Sequence, residues 1–153
     1  MAIGLEHEFT YRAHLKPPMP FGKTPSGDRV FVEVTGGDLE GKRLRGKFVG
    51  GGGDWLALGE DGFGRLDVRA QLETHDGVFI YVTYVVGLLQ LTEGVQRVLG
   101  GGAGTDFGDQ YFRTCPKFET GDARYAWLNQ SLFVAEGRIL KGPVVEYKVY
   151  RVT

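Results

Sequence analysis

The sequence predicts an all-β protein, an antiparallel meander closing into a barrel of about eight to ten strands with one short helix. Three observations carry this. Apolar and polar residues alternate with period two in run after run along the chain. Turn residues, Asp-Gly and Gly-Gly among them, separate the runs at short intervals. One segment alone, Leu88 to Leu99, has helical spacing instead. Glycine is abundant at 25 residues and is scattered rather than periodic, which suits tight turns between short strands.

Taken in order, Leu5 to Leu15 places Leu5, Phe9, Tyr11, Ala13 and Leu15 on one face, and Glu6, Glu8, Thr10, Arg12 and His14 on the other. His7 lies in register with the apolar face. Pro17, Pro18 and Pro20 interrupt pairing because proline has no N–H for a ladder. Arg29 to Thr35 is a second strand, and Gly36-Gly37-Asp38 is expected to turn the chain into a third, Gly41 to Val49. The glycine run Gly50–Gly53 leads into a short strand, Asp54 to Leu58, and Glu60-Asp61-Gly62 marks a hairpin. Arg65 to Thr74 alternates again, and His75-Asp76-Gly77 turns into Val78–Val86, which is apolar on both faces. Leu88, Leu91, Val95 and Val98 follow the helical period, so a helix is expected around Thr92–Leu99 with Thr92 as its N-cap. A hairpin is expected next, its strands Tyr111–Phe118 and Tyr125–Ala135 flanking Thr120-Gly121-Asp122. A last strand runs from Val144 to Val152. Closure into a barrel removes exposed edges, which favours it over the alternative of a two-sheet sandwich.

The totals exclude several classes of function. The 153 residues suit one domain spanning 1–153. A formal charge of -1, without a basic run, argues against a nucleic-acid surface. No apolar stretch is long enough to span a membrane as a helix. The N-terminus lacks the basic and apolar regions of a signal peptide, and the single cysteine, Cys115, suits a reducing cytosol, so a cytoplasmic location is expected. Gly22-Lys23-Thr24 is not a phosphate loop, because Pro17 stands where that motif needs glycine and Pro25 where it needs a helix. Gly100–Gly104 follows a helix and precedes a strand, the reverse of a dinucleotide site. His7, His14 and His75 lack metal-ligand spacing and no Cys-x-x-Cys occurs, so no metal and no cofactor are expected.

The chemistry-bearing residues fall elsewhere. Asp67 and Arg69, Tyr111 and Arg113, and Tyr125, Trp127 and Asn129 are each two apart on expected strands, so each set shares a face. Facing inward, they would line a polar, aromatic pocket; facing outward, Asp67-Arg69-Gln71-Glu73 is an ordinary solvated face opposite Leu66, Val68, Ala70 and Leu72. These runs, with Asp54-Trp55, resemble the motifs of a family of uncharacterised bacterial and fungal proteins called DUF3237 or UPF0311. The match lies in Asp-x-Arg at Asp67/Arg69, Tyr-Phe-Arg at Tyr111–Arg113 and Tyr-x-Trp-Leu-Asn at Tyr125–Asn129. The resemblance covers nearly the whole chain and implies a small antiparallel barrel, of lipocalin-like size, without assigning a reaction.

A barrel of this size can hold one small molecule, and two kinds of function follow. As an enzyme, the protein would be a cofactor-independent lyase, isomerase or cyclase acting on a carbonyl-bearing, aromatic or anionic molecule. Asp54 or Glu119 would be the desolvated acid/base, and Arg69 or Arg113 would hold oxyanion charge. Asp67, Arg69, Tyr81, Tyr111, Tyr125, Trp127 and Asn129 would contact the ligand. As a carrier, it would present a more apolar interior with no carboxylate on the ligand. A third, structural role would use Val78–Val86 only as a subunit interface. The two apolar faces of that strand also lead us to expect a homodimer.

Overall fold

The computed structural model describes residues 2–153. Thirteen strand segments form one continuous antiparallel sheet. They are β1 (Leu5–Leu15), β2 (Met19–Thr24), β3 (Gly27–Gly41), β4 (Arg45–Phe48), β5 (Gly53–Leu58), β6 (Phe63–Arg65), β7 (Val68–Thr74), β8 (Phe79–Tyr84), β9 (Gly87–Gln90), β10 (Phe112–Thr114), β11 (Lys117–Glu119), β12 (Phe133–Leu140) and β13 (Val144–Val152). The sheet closes into a barrel because β3 serves two neighbours. Its first half pairs with β5 and its second half with β1, which pairs in turn with β13. From β5 the ring continues through β6, β9, β10 and β12 back to β13.

Gly36-Gly37 therefore does not turn the chain; it bends a single long strand. A side chain at Gly37 would put its Cβ 1.9 Å from the Arg12 carbonyl oxygen, and the backbone there has φ +139°. Only glycine combines that close approach with that conformation. In β1 the register slips between His7 and Phe9. The slip turns His7 to the surface and leaves Leu5 exposed, while Phe9, Tyr11 and Ala13 keep their inward positions.

The helix α1 (Glu93–Leu99) stands where the spacing placed it. The Thr92 side chain accepts from the Val95 amide at 3.1 Å, and Val95 and Val98 are wholly buried. The hairpin expected from Tyr111 to Ala135 is only half present. Tyr111–Phe118 is split into β10 and β11 at Cys115-Pro116, and residues Ala123–Tyr125 form a 3₁₀ turn that runs into a one-turn helix, α2 (Ala126–Asn129). Asp122 caps the 3₁₀ turn by accepting from the Arg124 amide. This local capping, together with burial of Leu128 beneath the helix, overrides the period-two pattern of Tyr125, Trp127 and Asn129.

Breaks of the same kind align across three neighbouring strands. Leu66-Asp67 separates β6 from β7, Val85-Val86 separates β8 from β9, and Cys115-Pro116 separates β10 from β11. They divide the barrel interior into two unlike ends. One end is solid: Phe118 meets Phe9 and Phe133 edge to face, each at 5.2 Å, and Leu39, Leu72, Ile80, Val82 and Leu128 fill the space around them. The other end, beneath α1, is hollow.

On the outside, Glu146 on β13 is almost fully buried between Arg12 and Arg138. Burial alone would raise its pKa, but the two guanidinium groups overcome this and hold it below the usual glutamate value. A carboxylate whose folded pKa is depressed adds stability above its unfolded pKa and loses it as pH falls through the folded one. Glu146→Gln should therefore cost about 1–3 kcal/mol at pH 7. That difference should shrink toward pH 3, as urea unfolding at the two pH values will show.

Candidate active site

The hollow end holds a cavity of about 500 Å³, within the range of small-molecule sites. Val30, Val32 and Val34 of β3, Leu56 and Leu58 of β5 and Leu89 of β9 make its walls. Leu15 at the end of β1, Pro18 of the β1–β2 connection, and Gln96 and Leu99 of α1 stand around it. The wall is apolar because alternation turns one face of every strand inward and the sequence places Val and Leu on that face. No lysine or arginine lines it.

Its floor is different. Asp54 of β5, Tyr84 of β8 and Tyr147 of β13 line the cavity where it meets the solid end. Tyr11 packs beneath them, its ring 5.0 Å from that of Tyr147, while Tyr84 lies 5.8 Å from Tyr147. The Tyr11 hydroxyl is buried without a hydrogen-bond partner. Gly137 makes room for this arrangement. A Cβ there would stand 2.9 Å from the Tyr147 ring and 2.8 Å from that of Phe112.

Asp54 reaches the floor by way of the strand break at Leu66-Asp67. There the Asp67 amide, in the gap between β6 and β7, both of which pair with β5, donates to Asp54 Oδ1 at 2.9 Å. Asp54 Oδ2 makes no hydrogen bond among the described residues. The carboxyl group lines the cavity. Burial among apolar side chains, with a smaller contribution from the charge of Asp67, pushes its pKa up to about 7, against the lowering effect of that amide. Burial likewise pushes Tyr84 up to about 12, with Asp54 adding to the shift, and holds Tyr11 and Tyr147 well above 10. The floor thus presents a carboxyl group that can take or give a proton near neutrality, beside phenols that stay protonated and can donate hydrogen bonds.

Of the residues singled out from sequence, Asp54 alone lines this cavity. Leu66 and Val68 face inward, so Asp67, in the break before β7, and Arg69, within it, face outward and do not line this cavity. Arg113 and Tyr111 are also outside. The Arg113 guanidinium lies 5.2 Å from the Tyr111 ring and 3.9 Å from Glu136. The cause is the same alternation, since Phe112 and Thr114 take the buried positions. Tyr81 is exposed, and Glu119 is exposed beside Lys117. Tyr125 is buried but turned away, its hydroxyl donating to Asp76 at 2.7 Å. Trp127 lies under the Arg43 guanidinium at 3.7 Å. Asn129 closes the loop before α2 by bonding both backbone groups of Thr120. The tyrosines of the floor escaped the sequence reading. Their signal was the alternation Ile80-Val82-Tyr84 and Val145-Tyr147-Val149, in which each tyrosine takes the inward position.

A family model described as a protein of unknown function (DUF3237) matches residues 3–152. The chain belongs to the DUF3237 family. A UPF0311 protein of Rhodopseudomonas palustris is 31% identical over 132 residues, covering 84% of each chain. Its crystal structure, described as that of a conserved protein of unknown function, superposes with a TM-score of 0.87 at 29% identity, over 100% of this chain and 99% of that one. A structure described as a beta-barrel like protein from Acinetobacter baumannii gives 0.82 at 30% identity, over 100% and 98%. The structure of an enzyme from Penicillium herquei gives 0.72 at 20% identity, over 100% and 96%, a likeness of fold alone. This DUF3237 chain thus shares its barrel fold with proteins of differing description. No helix of the chain is long and apolar enough to cross a membrane.

Proposed function

We propose that the barrel binds a small, neutral, largely apolar molecule bearing a carbonyl or phenolic oxygen, and that Asp54 moves a proton on it as a cofactor-independent isomerase, lyase or cyclase. The observation that carries this reading is a single carboxyl group with a pKa of about 7 on the floor of an apolar cavity. An acid/base is most effective when its pKa lies near the working pH. In the simplest step, the Asp54 carboxylate takes a proton from the carbon next to a carbonyl. The electron pair moves onto the carbonyl oxygen, and Tyr84 or Tyr147 donates a hydrogen bond to the resulting enolate. Return of the proton to another carbon completes an isomerisation. Without a cation in its wall, the cavity favours neutral ligands over the anionic ones that Arg69 or Arg113 would have served. That the fold hosts an enzyme in Penicillium herquei is compatible with catalysis here. Cys115, exposed and unpaired, suits a reducing compartment such as the cytosol.

The alternative is a carrier, which the nearly unbroken apolar wall favours. Incubating a panel of neutral cyclic ketones with the protein in deuterium oxide separates the two. The enzyme reading expects deuterium to enter beside the carbonyl of a bound ketone, seen by mass spectrometry, at a rate that follows a pKa near 7. A carboxylated analogue of the same shape should bind at least about 10-fold more weakly. Ketones that bind without any exchange above buffer would leave the carrier reading standing and end the catalytic one.

A further inference from the structure

We propose that the outer wall of β5, β7, β8 and β9 is a two-fold interface between two copies of this chain, centred on Asp67 and Arg69. Eight of the twelve exposed large apolar side chains stand on this wall or at its edge. They are densest in a belt that crosses the wall at the level of the strand breaks, from Trp55 through Val85 and Val86 to Leu132. Val85, Val86 and Leu132 also border a surface groove of about 350 Å³. Covering the eight side chains would bury on the order of 800 Å² per copy, the scale of a stable interface.

The charges on the wall identify the occupant. Arg65 is paired with Asp61, Arg113 with Glu136 and Lys117 with Glu119, so these charges are balanced within one copy. Asp67 and Arg69 are not balanced, and Glu73, farther along the outer face of β7, also makes no ion pair among the described residues. The Asp67 Oδ1 is buried without a partner, and Arg69 makes no side-chain hydrogen bond or salt bridge among the described residues. An anion just before β7 and a cation two residues on within it are self-complementary, since a two-fold axis between them brings opposite charges together. A two-fold axis crossing the strand at the level of Val68 sets Asp67 of each copy against Arg69 of the other. The same operation covers the apolar belt with itself. A surface meant for an acidic partner or an anionic membrane would leave Asp67 uncompensated.

Charge exchange tests this pairing. Wild-type protein should sediment as a dimer at about 50 µM. Asp67→Arg and Arg69→Asp should each weaken dimerisation at least about 10-fold, because each sets like charges opposite one another. An equimolar mixture of the two variants should recover dimers, since every cross-copy contact then joins opposite charges. Val86→Glu places a charge on an exposed position and serves should Asp67→Arg fail to fold; it too should give monomers. A monomeric wild type at that concentration overturns the proposal. So do folded single variants that dimerise like wild type, and so do variants whose mixture stays monomeric.

Discussion

Asp54→Asn is expected to abolish proton exchange on a bound ketone while making the protein more stable at pH 8. The loss of rate should be about 10²-fold or more, the usual contribution of a positioned acid/base. The gain in stability follows from the sign of the pKa shift. Unfolded, Asp54 ionises near 3.9; folded, it does so near 7. Between these values the folded state holds a proton that the unfolded state has released, so stability falls as pH rises through this window and is lowest above it. The penalty at pH 8 is at most about 4 kcal/mol. Asparagine keeps an oxygen to accept from the Asp67 amide and carries no charge to desolvate. The variant should therefore unfold at higher denaturant than wild type at pH 8, and the two should converge toward pH 4. Equal stability of the pair at pH 8 would show that the Asp54 carboxylate is solvated and that the floor is not the dry site described. A group that costs stability where the protein works points to a functional reason for keeping it.

The largest loss of stability should come from Phe118→Ala, in the solid end. Its ring meets both Phe9 and Phe133 at 5.2 Å and is about 1% exposed, so truncation leaves a closed void. Such substitutions cost about 3–5 kcal/mol. Leu89→Ala removes a buried side chain that already borders empty space. It enlarges a cavity rather than creating one, and should lose only the transfer contribution of about 1.5–3 kcal/mol. Denaturant unfolding of the two variants compares the ends of the barrel directly. Phe118→Ala should keep ligand binding on its folded fraction, because the tyrosine floor separates the void from the cavity. A smaller loss for Phe118→Ala than for Leu89→Ala would contradict the division into a solid and a hollow end.

Most of the architecture was legible in the sequence because alternation is a strong signal wherever one face is buried. β1, β7 and β13 show it over many residues. It failed where local forces act on short segments. Asp122 capping and Leu128 burial turned Tyr125–Asn129 into helix, and Gly36-Gly37 bent a strand instead of ending it. The site was harder to read for a geometric reason. A polar residue on a strand looks solvated in sequence, and Asp67 and Arg69 are indeed on the outer face. Asp54 faces inward only because β5 is followed on the same face by Leu56 and Leu58, three positions preceded by four glycines that carry no pattern. Tyr84 and Tyr147 were hidden by being aromatic. In strands with apolar residues on their buried faces, nothing separates a phenol lining a cavity from one filling a core.

The tyrosine floor also bears on how such a barrel can change over generations. Folding is secured mainly below the floor, by side chains that do not line the cavity. Above it, residues such as Val30, Val32, Leu58 and Leu89 shape the cavity at a modest cost in stability when altered. Variation can then accumulate around the cavity without unravelling the scaffold, while the Asp54 carboxyl group stays on the floor beneath it. Laboratory libraries confined to those upper positions should yield a high fraction of folded proteins, and so offer an economical starting point for redirecting what the cavity accepts.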